Sequence, residues 1–303
     1  MQTTLNAAWV QQMLLPRSTT AHKGNFGTLT ILAGSAHYPG AAMLAAAGAL
    51  RAGAGIVRLA ATAQVCAVAA AQLPACTYQP LAQNAEGGIA SAALPEALAP
   101  PATALLAGCG LGNTAETGLL VAALLDTCPC PFVLDADALN VLAGHLPAGQ
   151  DETVRRAMLH ALATARQPVI VTPHIGEMSR LCGIPPAEAQ QDMAGVALQF
   201  ASRHNCVVVL KSHVTVVATP SGELYVNNTA GNAGLAKGGS GDVLAGIIAA
   251  LLAQGHAPHI AAAAGVWLHA AAADAAVEIT GETGLSPADL PTYLCTVWRQ
   301  LGR

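Results

Sequence analysis

The feature that most constrains this chain is a set of short apolar runs, each too brief for a helix, separated by longer alanine-rich stretches. The runs are Gly27 to Ala33, Ile56 to Ala60, Ala104 to Gly108, Phe132 to Asp135, Val169 to Thr172 and Val207 to Lys211. Runs of this length, apolar on both faces and divided by helical segments, predict parallel strands covered on both sides. Val214 to Ala218 and Glu223 to Val226, joined by Thr219-Pro220-Ser221-Gly222, read instead as an antiparallel hairpin that ends the sheet. Two helices close the chain, Val243 to Ala253 and His259 to Glu278, with Gly255 stopping the first. No repeat, long linker or break in composition divides the sequence, and Pro95 to Pro101 and Gly144 to Gly149 read as punctuation. The expectation is one α/β domain spanning 1–303, a three-layer α/β/α sandwich around a mostly parallel sheet.

Composition narrows the function. Hydrophobic residues are 53% of the 303 and charged residues only 10%, so a large core is available and disorder is excluded. The longest apolar run, Val243 to Ala253, falls well short of the roughly 20 residues that cross a bilayer. No membrane span is expected, and no secretory signal opens the chain, so a cytoplasmic location is the expectation. Thirteen Lys and Arg, none in a block, with a net charge of −4, argue against nucleic acid as a partner. The eight cysteines are scattered and read as reduced, and Cys128-Pro129-Cys130 lacks the spacing of a redox or zinc pair.

In open sheets of this kind ligands bind beyond the carboxyl ends of the strands. The residues there are Gly34-Ser35, Gly108-Cys109-Gly110, Asp135-Ala136-Asp137, His174-Ile175-Gly176-Glu177 and Lys211-Ser212-His213. The densest signal is Gly231-Asn232-Ala233-Gly234-Leu235-Ala236-Lys237-Gly238-Gly239-Ser240-Gly241-Asp242, which runs directly into an apolar helix. Glycines let successive amides face one concavity at a helix N-terminus, which carries about half a positive charge: an anion site. Asp242, in the first turn, is placed to accept a proton from a substrate hydroxyl. The plainer reading makes Asp242 an N-cap and the glycines a turn. The run is neither a Walker A loop nor a dinucleotide GxGxxG.

The stretch GNAGLAKGGSGDVLAGIIAALLAQG resembles the signature of the ADP/ATP-dependent NAD(P)H-hydrate dehydratases of the ribokinase-like superfamily. The resemblance extends through His22-Lys23-Gly24-Asn25-Phe26-Gly27, Ala33-Gly34-Ser35, Pro39-Gly40-Ala41-Ala42 and Arg51-Ala52-Gly53-Ala54-Gly55. It continues through Gly108-Cys109-Gly110-Leu111-Gly112, Leu134-Asp135-Ala136-Asp137-Ala138-Leu139-Asn140, Thr172-Pro173-His174-Ile175-Gly176-Glu177 and Leu210-Lys211. Each match is weak alone; their order and spacing together are specific.

The resemblance implies a ribokinase-like fold and repair of nicotinamide nucleotides: the S form of C6-hydrated NADH or NADPH is dehydrated with ADP or ATP as phosphoryl donor and Mg²⁺ as cofactor. It implies Asp242 as the base, and Gly238, Gly239, Ser240 and Gly241 as the anion hole. Lys211, Ser212, His213, Val214 and Thr215, with Gly241, match positions around the adenine nucleotide. Ala41, Gly110, His174 and Asp242 match positions contacting the hydrated dinucleotide. Asn140 and Glu177 shape the site, Glu177 as a candidate organiser of Mg²⁺ without ligating it, and no direct protein ligand to the metal is assigned. A homo-oligomer, such as a tetramer, belongs to the same expectation. Two positions depart from the pattern: Cys109 stands where the family often has proline, and Ser212 where it often has glycine. Many bacterial relatives carry an N-terminal epimerase domain, which is not expected here. The competing readings are a ribokinase-like kinase for a vitamin-precursor alcohol and a non-catalytic nucleotide-binding protein. Plainer roles also stay open for individual residues: a loop histidine for His174, helix caps for Asp135 and Asp137, a strand-end charge for Lys211 and a solvated loop for His22-Lys23.

Overall fold

The computed structural model describes residues 2–146 and 149–303. Its strands are β1 (Gln2–Thr4), β2 (Thr28–Leu32), β3 (Ile56–Thr62), β4 (Thr77–Leu81), β5 (Ala104–Ala107) and β6 (Phe132–Leu134), then β7 (His145–Leu146), β8 (Gly149–Gln150), β9 (Val169–Val171), β10 (Val207–Leu210), β11 (Thr215–Ala218) and β12 (Leu224–Asn227). Ten of them form one sheet in the order β1-β12-β11-β10-β9-β6-β5-β2-β3-β4, and β7 pairs with β8 apart from it. Every pairing in the large sheet is parallel except those of β11 with β10 and β12. The architecture is the expected ribokinase-like α/β/α sandwich.

Alternation along the central strands feeds two cores. Leu29, Ile31, Leu106, Val133 and Ile170 face the helices Pro39–Arg51, Ser240–Ala253 and Pro258–Gly284. Leu32, Leu105, Phe132, Leu134 and Val171 face the helices Ala115–Thr127, Asp137–Leu142, Glu152–Ala163 and Met193–His204. Both faces of the middle strands are therefore buried, which is why they read as unbroken apolar runs.

The chain moves outward from β2 to β3 and β4, then returns to place β5 on the other side of β2. That reversal opens a crevice beyond the carboxyl ends of β2 and β5, where ligands of such sheets settle. The amide of Gly34 donates to the carbonyl of Cys109 across it (2.8 Å).

Some expectations are corrected. The hairpin does not end the sheet, because β1 pairs in parallel outside β12, and β4 forms the opposite edge. The segment Pro95 to Pro101 contains part of a short helix, Leu94–Leu98. Of the expected loop Gly144 to Gly149, residues 147–148 lie outside the described residues. The second of the two expected closing helices runs from Pro258 to Gly284, turning out of helical geometry at Gly281, and not from His259 to Glu278, and a further helix, Leu290–Gln300, follows it. The helix Pro258–Gly284 is long and apolar enough to cross a bilayer by length and composition alone, but 78% of its most apolar window is buried inside this fold, as in a core helix.

Candidate active site

Asp135, Lys211 and Cys109 sit one or two residues after β6, β10 and β5, and His174 three after β9, so the rigid sheet fixes their positions. Beyond β6, Asp135 is 1% exposed and Ala136 takes a left-handed conformation (φ 51°), which turns the chain into the helix Asp137–Leu142. Asp135 accepts from Lys211 Nζ at 2.8 Å and from Thr172 Oγ1 at 2.7 Å. Burial disfavours the Lys211 ammonium, but Asp135 and Glu177 more than offset it and hold the pKa above the ordinary lysine value.

His174 begins the helix Ile175–Cys182 as its N-cap. Its Nδ1 accepts from the amides of Gly176 (2.9 Å) and Glu177 (3.3 Å), while the Glu177 carboxylate accepts from the His174 amide (2.8 Å). This reciprocal cap fixes the imidazole and leaves it half exposed, facing the rim beside Lys211, whose amide donates to Pro173 O. Burial, then Lys211 and Arg180, push the His174 pKa down, so the ring is neutral at pH 7. Burial pushes the Glu177 carboxyl up to about 7 against the opposing pull of Lys211.

The glycine-rich run ends in a left-handed residue, Gly239 (φ 102°), immediately before the helix Ser240–Ala253. That conformation turns the chain so that Asp242 falls in the first helical turn. Among the described residues, the amides of Gly238, Gly239, Gly241 and Asp242 have no hydrogen-bond acceptor. Uncapped amides at a helix N-terminus attract an anion. Gly241 lies against the Lys211–Asp135 pair: a methyl group there would sit 3.3 Å from Lys211 Nζ. Amides, ammonium and Asp242 thus converge on one place.

Asp242 is partly buried, and no described side-chain oxygen or nitrogen donates to its carboxylate. Burial, followed by the nearby charge of Asp135, pushes its pKa up to about 7; Cys109 and Lys211 pull the other way. The Cys109 sulfur and the Asp135 and Asp242 carboxylate oxygens all lie within 4.8 Å of one another.

Across the crevice, a methyl group at Gly110 would sit 2.8 Å from Ala41 Cβ and 2.7 Å from Tyr38 Cβ. The two sequence-predicted substrate contacts therefore adjoin, and Tyr38, 57% exposed, stands over them. Tyr38 escaped the sequence reading although it immediately precedes Pro39. Asn140 is turned away into a supporting network: its amide donates to Asp137 (3.4 Å) and its oxygen accepts from Arg180 (2.8 Å), while Asp137 accepts from the Gly112 amide (2.9 Å). Ser212 to Thr215 form the turn from β10 to β11, closed by the Thr215 hydroxyl donating to Ser212 O (3.1 Å). His213 is exposed there, next to Ser212 Oγ (3.3 Å), and Val214 packs against the core.

Lys237 was also missed. Its ammonium donates to the carbonyls of Thr283 (2.6 Å) and Leu285, tying the glycine run to the end of the longest helix. The segment Lys23–Phe26, capped by His22, precedes β2 and lies at the opposite pole. A cavity of about 470 Å³ there, lined by Arg17, His22, Asn25, Phe26 and His256 among others, holds none of the groups above.

The family model described as NAD(P)H-hydrate dehydratase matches residues 29–295. The bifunctional NAD(P)H-hydrate repair enzyme of Moorella thermoacetica is 39% identical over 98% of this chain but only 54% of its own length, so this chain spans about half the length of such bifunctional relatives. The ADP-dependent (S)-NAD(P)H-hydrate dehydratase of Neisseria meningitidis is 38% identical, over 88% of this chain and 82% of its own. Among solved structures, the ADP/ATP-dependent NAD(P)H-hydrate dehydratase of Bacillus subtilis, co-crystallised with ATP/Mg²⁺, superposes with a TM-score of 0.83 at 32% identity, covering 99% of this chain and 98% of that one. On the strength of these matches, the chain belongs to the NAD(P)H-hydrate dehydratase family.

Proposed function

We propose that this protein dehydrates the S form of C6-hydrated NADH or NADPH, using ADP or ATP to turn the C6 hydroxyl into a phosphate leaving group. The observation that carries the reading is Asp242: a carboxylate with no nitrogen or oxygen donor among the described residues, in the first turn of a helix whose leading amides find no acceptor among them. In this reading Asp242 takes the hydroxyl proton and the oxygen attacks the terminal phosphoryl. Gly238 to Gly241 and Lys211 receive the charge that develops on the transferring oxygens. The C6–O bond then breaks with the ring nitrogen supplying electrons, inorganic phosphate leaves, and the resulting iminium loses its C5 proton to water, which forms the C5–C6 double bond of NADH. A carboxyl titrating near 7 is matched to accepting a proton at neutral pH.

The substrate is read as entering over Tyr38, Ala41 and Gly110, with His174 on the facing side. The nucleotide is read along Lys211 to Thr215, ending at the glycine run. The residues present do not form a cage for Mg²⁺. Asp135 is committed to Lys211 and Thr172, Asp137 to Gly112 and Asn140, and Glu177 to capping His174. Mg²⁺ binds readily through substrate phosphates while keeping several waters, so it is read as arriving with the nucleotide.

Asp242→Asn keeps the shape and removes the base. The expected outcome is nucleotide affinity within about threefold of wild type, measured by calorimetry, with turnover of hydrated NADH reduced by about a hundredfold or more. Normal turnover in that variant would remove Asp242 from the mechanism.

A further inference from the structure

Cys109 departs from the family pattern at a position in the middle of the site. It lies between Gly108 and Gly110 beyond β5, is 0% exposed, and has its carbonyl held by the Gly34 amide. Its sulfur is within 4.8 Å of carboxylate oxygens of both Asp135 and Asp242. Asp135 already has two strong donors, the Lys211 ammonium and the Thr172 hydroxyl. Asp242 has none of that kind.

We propose that Cys109 is a positioning residue for Asp242, its S–H group donating to the carboxylate and holding it in place beside the glycine-run amides. Burial, then Asp242 and Asp135, keep the thiol pKa well above its ordinary value, so Cys109 stays protonated and acts as a donor. The charged and titratable groups facing Asp242 are Asp135 beyond β6, Asp137 in the helix that follows, and Lys211 beyond β10. The two aspartates favour the protonated acid, whereas Lys211 and Cys109 favour the carboxylate. Cys109 is the uncharged member of the set. A proline at this position offers no donor, and serine offers one of similar size.

This inference rests on Asp242 being the base, and the test separates the two. Carboxyl-carbon NMR of enzyme labelled with ¹³C-aspartate reads the Asp242 midpoint directly, its resonance assigned by its loss in Asp242→Asn. Removing a hydrogen bond to the charged form raises an acid's midpoint. Cys109→Ala is expected to shift it upward by about half a pH unit or more, and Cys109→Ser to restore it. In parallel, the limb of kcat against pH should move with the midpoint, lowering kcat at neutral pH about twofold or more in Cys109→Ala, while KM for the nucleotide changes less than about twofold. An unchanged midpoint in Cys109→Ala, or Cys109→Ser titrating like Cys109→Ala, overturns the positioning role. A shifted midpoint with a kcat limb that stays put leaves that role standing and overturns Asp242 as the base. Cys109→Pro repeats the loss of the donor should the alanine variant fold poorly.

Discussion

Asp242 is held in a state that costs stability. Its carboxyl is raised to about 7 in the fold against about 4 in an unfolded chain, so between those values the folded state retains a proton that the unfolded chain has lost. Stability therefore falls as pH rises from about 4 to about 7, and the full cost is present above 7. Asp242→Asn should be more stable than wild type at pH 8, by on the order of 2 kcal/mol, and nearly equal to it at pH 4, in denaturant titrations at the two pH values. A variant that is inactive and also less stable at pH 8 would contradict this account. If Asp242 is the base proposed above, turnover should rise with pH along a limb near 7, where its carboxylate becomes free. The Lys211–Asp135 pair has the opposite character, since both partners are needed to satisfy a buried charge. Lys211→Met should lose about 3 kcal/mol or more, and Asp135→Asn in the same chain should recover part of it, measured the same way. At this scale much was legible. Asp242, the glycines and Lys211 could be named from local sequence because each lies where a strand ends or a helix begins. The closeness of Cys109 to Asp242 could not, because it depends on how β5 and a helix more than a hundred residues later meet in space.

At the scale of elements, the helix Ser240–Ala253 decides where the base sits, and its packing against the helix Pro39–Arg51 decides where that helix sits. The two approach through glycines. A methyl group at Gly246 would overlap the Ala45 carbonyl, and one at Gly48 would come 2.6 Å from the Val243 carbonyl. The helix Pro39–Arg51 also carries Ala41, so one spacing sets the distance between the proposed substrate contact and the proposed base. Gly246→Ala should therefore cost about 2 kcal/mol by denaturation and lower kcat/KM, although residue 246 touches no ligand. Loss of stability with unchanged kcat/KM would show that the helix spacing does not matter to catalysis. The sequence pattern located the helices Ser240–Ala253 and Pro258–Gly284 because their apolar runs are long, and placed Asp242 at the first turn of the former, but it did not foresee the more polar helix Leu290–Gln300 that follows them. The edge strands β1 and β4 were invisible for a physical reason. β1 is a polar tripeptide, and β4 carries Pro80 and exposed residues on an edge that needs no apolar alternation.

Across the whole molecule, function follows from where the sheet reverses. β2 and β5 pair side by side at the switch point, where the strand order reverses, and the segments beyond their carboxyl ends carry Tyr38, Ala41, Cys109 and Gly110. β6, β9 and β10 deliver Asp135, His174 and Lys211, and the glycine run closes the space between. The mostly parallel order was legible from the apolar runs; the order of strands was not, because it is set by crossovers whose direction leaves no local trace. An anion site beside a base would serve any hydroxyl kinase, so the chemistry that follows phosphoryl transfer is the central claim. The direct measurement is incubation of (S)-hydrated NADH with the protein and Mg²⁺, with ADP and ATP in parallel, following reduced-nicotinamide absorbance and inorganic phosphate. The account predicts recovery of the absorbance with one phosphate released per NADH formed, dependent on nucleotide and lost in Asp242→Asn. A stable phosphate ester without recovered absorbance, or recovery that needs no nucleotide, would contradict it.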